Sequence, residues 1–105
     1  MSEGSTIFAL SSGSGKAGVA VIRVSGPAAQ AALAAMTAVP VSPRQAAYRR
    51  LHHPQTHDLL DLAVVILFPG PRSETGEDVV EFQTHGGRAT VLAVLEALAA
   101  VPGCR

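Results

Sequence analysis

The sequence is poor in cysteine and in charge. One cysteine in 105 residues excludes an internal disulfide framework and fits a reducing cytoplasm, so a cytoplasmic setting is expected. Charged residues make up only 15%, and eight basic side chains offset eight acidic ones. A net charge of zero argues against a strong non-specific grip on nucleic acid by this segment, because neutralising phosphates needs a basic excess. No apolar run is long enough to span a bilayer, so no membrane partner is expected. The first residues, Met-Ser-Glu-Gly-Ser-Thr, lack a basic n-region, and a secretory signal is not expected from them. What is present is a chain that is 48% hydrophobic, enough for one globular domain with a modest core.

Periodicity places the elements. Thr6 to Leu10 reads as a short strand, followed by a Ser/Gly loop from Ser11 to Lys16. Gly18 to Val24 is a strand, with Ala20, Ile22 and Val24 on one face and Val19, Val21 and Arg23 on the other. Ser25-Gly26-Pro27 predicts a helix start, with Ser or Gly as the cap and Pro27 in the first helical position. That helix is expected to run to about Thr37, anchored by Leu33 and Met36. Ala46 to Leu51 is the next strand, His52 to Asp58 a polar turn, and Leu59 to Phe68 a central strand expected to be buried on both faces. Pro69-Gly70-Pro71 makes a turn. Asp78 to His85 then alternates, with Val80 and Phe82 on one side and Glu81, Gln83 and His85 on the other. Thr90 to Val101 predicts a second helix, with Val91, Leu95 and Leu98 on its inner stripe and Pro102-Gly103 at its end. The order ββαβββα predicts an α+β domain: a mixed sheet of about five strands with two helices over one face.

Several motifs carry less chemistry than they suggest. Gly13-Ser-Gly-Lys16 resembles the end of a phosphate-binding loop, but that pattern needs Gly at position 10, which is Leu, and a hydroxyl at 17, which is Ala. His52, His53, His57 and Asp58 follow no known metal-ligand spacing, and Pro54 interrupts any helix that would align them, so no metal site is expected. Cys104 has no His or basic cluster nearby in sequence to activate it, so an inert thiol is expected. Arg23 is more informative: in an otherwise apolar strand it must reach solvent, a carboxylate or a ligand. The polar row Glu81, Gln83, His85 is either a solvated edge or the wall of a polar site.

Taken together, Gly18-Val-Ala-Val-Ile-Arg-Val-Ser-Gly-Pro27, Phe68-Pro-Gly-Pro71, Thr75-Gly-Glu-Asp-Val-Val-Glu81 and His85-Gly-Gly87 resemble the N-terminal domain of the tRNA modification GTPases of the MnmE (TrmE) family. The likeness covers nearly the whole chain in order and spacing. It departs in the first loop, where the family usually has Pro-Gly-Arg-Gly-Gly and this chain has Ser12 to Gly18, with Lys16 in the place of the Arg.

The resemblance implies a fold similar to folate-binding aminomethyltransferase domains, with residues 1–105 serving as a homodimerising module that binds 5-formyl-tetrahydrofolate. It implies a longer protein that acts with the FAD-dependent partner MnmG on carbon 5 of the wobble uridine of tRNA. The end at Val-Pro-Gly-Cys-Arg fits a piece of such a protein. The helical and GTPase domains, with their potassium and magnesium, fall outside this chain, as does the family's terminal cysteine motif. The chain alone is therefore not expected to hydrolyse GTP, and no catalytic residue is assigned to it. By motif the folate contacts fall on Arg23 and Glu81, with Gln83 and His85 lining the same face. A pterin presents an N–H and an exocyclic NH2 side by side, which one carboxylate can accept together. Arg23 would meet a folate carboxylate or carbonyl. The alternative is a dimerisation scaffold without folate; a stand-alone aminomethyltransferase-like enzyme would need a longer chain.

Overall fold

A computed structural model describes residues 5–11 and 18–105. The first-loop readings on Ser12 to Ala17, Lys16 included, lie outside the described residues. The elements are β1 (Ile7–Leu10), β2 (Val19–Ser25), α1 (Ala29–Met36), β3 (Ala47–His52), β4 (Leu59–Phe68), β5 (Val79–His85) and α2 (Arg88–Ala99). The expected order and class hold: this is an α+β domain with one five-stranded sheet, in spatial order β1-β2-β5-β4-β3.

The sheet is antiparallel at all four interfaces, where a mixed sheet was expected. The reason is the placement of β5. It enters between β2 and β4 and runs opposite to both. Parallel pairing occurs, among the described residues, as isolated bridges from Thr6 to Cys104 and from Pro43 to Leu67.

Both helices pack on one face. Alternation along the strands delivers Ile22 and Val24, Val80 and Phe82, and Ala63 and Val65 to that side. The helices answer with Ala29, Ala32, Leu33 and Met36 from α1, and Val91, Val94, Ala97 and Leu98 from α2. Small side chains on both helices let them lie close to the sheet. Phe82 sits fully buried in the middle strand, and burying a ring of this kind stabilises by about 1.5–3 kcal/mol.

β4 departs from expectation. Its inner residues Ala63, Val65 and Leu67 are buried, but Val64, Ile66 and Phe68 on the other face are only half-buried. An unbroken apolar run reads as a strand covered on both sides, yet among the described residues no second layer of helix or strand lies over this face.

The start of α1 also differs. Helical geometry begins at Ala29, two residues beyond Pro27, and neither Ser25 nor Gly26 caps it. Thr6, completely buried just before β1, supplies the acceptor: the Ala28 N–H donates to its Oγ1 at 2.7 Å. Gly26 holds φ +141, and a Cβ there would meet the Thr6 Oγ1 at 2.6 Å, so glycine lets β1 pass this close. The Ser25 hydroxyl turns instead to the Thr75 hydroxyl at 2.8 Å. No helix among the described residues is long and apolar enough to cross a membrane.

Candidate functional site

The helix-free face of the sheet carries the polar row. In the β2–β5 register Arg23 lies opposite Glu81, and Val21 opposite Gln83. Arg23 Nε donates to Glu81 Oε1 at 3.2 Å, and Gln83 Nε2 donates to Glu81 Oε2 at 2.7 Å. A second carboxylate, Glu74, lies 3.4 Å from Arg23 Nη1. The Glu81 side chain is 12% exposed and that of Arg23 44% exposed, so the carboxylate sits low with the guanidinium above it. Each Glu81 oxygen already accepts one hydrogen bond and keeps capacity for another.

Phe68, Val79 and the loop residues Arg72, Ser73 and Glu74 complete a cleft of about 280 Å³ beside Arg23 and Glu81. The loop is held by the motif residues that precede β5. Asp78 accepts the Gly70 N–H on Oδ1 at 2.8 Å and the Gln30 amide on Oδ2 at 3.0 Å. The Ser73 hydroxyl donates to the Glu77 carbonyl. Arg44, itself at φ 60, donates to the carbonyl of Arg72 at 2.5 Å. Much of the Thr75-Gly-Glu-Asp78 motif therefore works as a clasp. It sets Arg72, Ser73 and Glu74 over the end of the sheet.

His85 lies at the other end of β5, away from Arg23. Asp61 takes hold of it twice: Oδ2 accepts the His85 backbone N–H at 2.8 Å, and Oδ1 lies 2.7 Å from Nδ1. The structure thus joins Arg23, Glu81 and Gln83 in one network and gives His85 a partner of its own. Sequence reading did not single out Asp61. Its signal was an acidic residue inside the otherwise apolar run Leu59 to Phe68. Gln83 and His85 both line a second cleft of about 200 Å³, with Tyr48, Leu62 and Val64.

The histidine-rich segment is a β-hairpin turn between β3 and β4. His53 Nδ1 accepts the backbone N–H groups of Gln55 at 3.1 Å and Thr56 at 3.3 Å, and His57 stands at φ 65. No group of three metal-ligating side chains converges among the described residues. Cys104 is half-buried, and burial pushes its thiol up from the ordinary value, which disfavours the thiolate.

The family described as "GTP-binding protein TrmE N-terminus" matches residues 6–105. The chain belongs to this family. Curated relatives agree with the TrmE assignment. The mitochondrial 5-taurinomethyluridine-tRNA synthase subunit GTPB3 of Homo sapiens is 56% identical over 105 residues, covering 97% of this chain and 21% of that protein. The protein of the same name from Danio rerio is 53% identical over 100 residues, covering 95% of this chain and 20% of its own length. The tRNA modification GTPase MnmE of Parvibaculum lavamentivorans is 52% identical over 101 residues, covering 95% and 23%. This TrmE N-terminal chain thus spans about a fifth of the length of the curated relatives it matches.

Proposed function

We propose that this domain is the one-carbon-folate-binding and homodimerising module of a tRNA modification GTPase. The observation that carries the reading is the Arg23–Glu81–Gln83 network at the mouth of the cleft under the Arg72–Glu74 loop. Glu81 is shielded, oriented by two donors and still able to accept from a ligand. That suits the paired N–H and NH2 donors of a pterin edge. Arg23 and Arg72 bring positive charge to the same cleft, which suits the carboxylates or carbonyl groups of a 5-formyl-tetrahydrofolate.

At about 280 Å³ the cleft falls just under the roughly 300–1,000 Å³ of small-molecule sites. It would hold part of such a ligand, and a second copy of the chain would close over the remainder. The flavin-dependent chemistry on tRNA with MnmG, and GTP hydrolysis, would belong to the full-length protein. Relatives named as mitochondrial and as bacterial proteins leave two compartments for that protein, and a cytoplasmic one suits the bacterial case.

The test is calorimetric titration of 5-formyl-tetrahydrofolate into the chain, with Arg23→Ala and Glu81→Ala alongside and light scattering on each sample. Saturable binding, lost in both variants, is expected. A folded dimer that takes up no folate, both as this chain and as the full-length protein, would leave the domain as a dimerisation scaffold.

A further inference from the structure

Resting on the reading of the Arg23 cleft as a ligand site, we infer that Glu74 is an internal competitor for that site. Its carboxylate holds the place on the Arg23 guanidinium that a bound ligand takes, and so it sets which molecules can enter.

Arg23 stands between two carboxylates that are held in different ways. Glu81 faces it across the β2–β5 pairing, on a side chain 12% exposed, and accepts from Nε at 3.2 Å. Glu74 comes from the loop before β5, is 75% exposed and lies 3.4 Å from Nη1. Charge-assisted hydrogen bonds close to about 2.7–2.9 Å, so this second pair is a loose one. Exposed ion pairs of this kind are weak and give way to a better partner. Among the described residues, Arg23 is also the only polar partner of the Glu74 side chain.

The backbone on either side of Glu74 is pinned. Arg44 donates to the Arg72 carbonyl at 2.5 Å, the Ser73 hydroxyl donates to the Glu77 carbonyl, and the Thr75 hydroxyl meets that of Ser25 at 2.8 Å. Release of Arg23 therefore needs the rotation of one exposed side chain and no opening of the loop. The charge of the cleft changes with it. Arg23 and Arg72 balance Glu74 and Glu81 while Glu74 is paired. Once Glu74 swings out, one positive charge is in excess. A ligand that offers an acceptor oxygen to Arg23 beside N–H donors for Glu81 gains at both groups and displaces Glu74. An anion that meets Arg23 alone only replaces what Glu74 gives up. Glu74 thereby keeps small free anions off Arg23 until a ligand that also engages Glu81 arrives.

The probes are glutarate, a simple dicarboxylate, and 5-formyl-tetrahydrofolate. Each is titrated at fixed ionic strength into the isotope-labelled chain and into Glu74→Gln, which removes the charge at an exposed position and keeps the shape. Binding is followed by the Arg23 Nε–H signal and the loop amides. Glu74→Gln should tighten both ligands about two- to fivefold, the worth of an exposed ion pair. Loss of a merely structural residue would loosen them instead. Glutarate binding should also fall more steeply with added salt in the variant, because the unaltered chain exchanges one ion pair for another. Unchanged or weakened affinity for either ligand that binds would overturn the inference. Tightened glutarate with no uptake of folate would sink the folate reading alone and leave Glu74 as the competitor. If neither ligand bound the variant, Arg23 would have nothing to compete for and both readings would fall.

Discussion

Thr6 is completely buried and polar at three points. Its N–H donates to the Gly103 carbonyl at 3.0 Å, its carbonyl accepts the Arg105 N–H at 2.9 Å, and its hydroxyl accepts the Ala28 N–H at 2.7 Å. Replacing the hydroxyl by a methyl keeps the shape and leaves a part-buried N–H without its acceptor. Thr6→Val should therefore cost about 1–3 kcal/mol in urea unfolding, while Thr6→Ser should cost less. Nothing local in the sequence announces this role, because the partners come from α1 and from the far end of the chain. Ser25-Gly26-Pro27 carries the stronger local capping signal and is not the cap. The same distinction governs the candidate site. Alternation was enough to put Arg23 on one face of its strand and Glu81 on one face of another. That they stand opposite each other depends on β5 pairing with β2, which a local pattern does not encode. Asp61 was visible only as an oddity in an apolar run, and its contact with His85 again spans two strands.

At the scale of elements, the loop between β4 and β5 is a built part rather than a connection. A Cβ on Gly70 would meet the Gly76 carbonyl oxygen at 2.8 Å and the Glu77 carbonyl carbon at 2.9 Å, both of them backbone. Gly76 has φ +82 but open space around it. The two glycines should therefore respond differently. Gly70→Ala forces the loop apart, should cost about 1–3 kcal/mol, and should weaken folate binding further by shifting Arg72. Gly76→Ala meets only the backbone preference, about 1–2 kcal/mol, and should leave the cleft in place. Denaturant midpoints and folate titrations on the two variants separate these effects. The elements themselves were largely legible: strand and helix order followed from periodicity, because alternation and a helical stripe are local properties. The antiparallel sense of the whole sheet and the helix-free face of β4 were not, since both depend on what lies alongside and above.

For the molecule as described, both helices cover one face of the sheet, and the other carries no helix. Ile7 and Val19 are each about half exposed toward the β1 side of the sheet. They share the helix-free face but lie at opposite ends of β2, Ile7 beside Ser25 and Val19 beside His85. A second copy seated across β1 and the Ser25 end of β2 would cover Ile7 and close the Arg23 cleft. Light scattering should return a dimer for the unaltered chain, and Ile7→Glu should shift the mass toward the monomer. A clean monomer at high concentration would count against this arrangement.

The place of β5 also bears on how the domain comes into being. β1 and β2 pair as neighbours, and β3 and β4 form a hairpin, but the two pairs do not touch each other in the sheet. β5 joins them, and of the five strands described it is the last to leave the ribosome. Until it emerges, the nascent chain holds two separate ribbons, each with an apolar face and a bare edge. Such edges are where chains add to one another, and contacts between distant segments form slowly. The strand that lines both clefts is thus also the one whose arrival turns two ribbons into a single sheet.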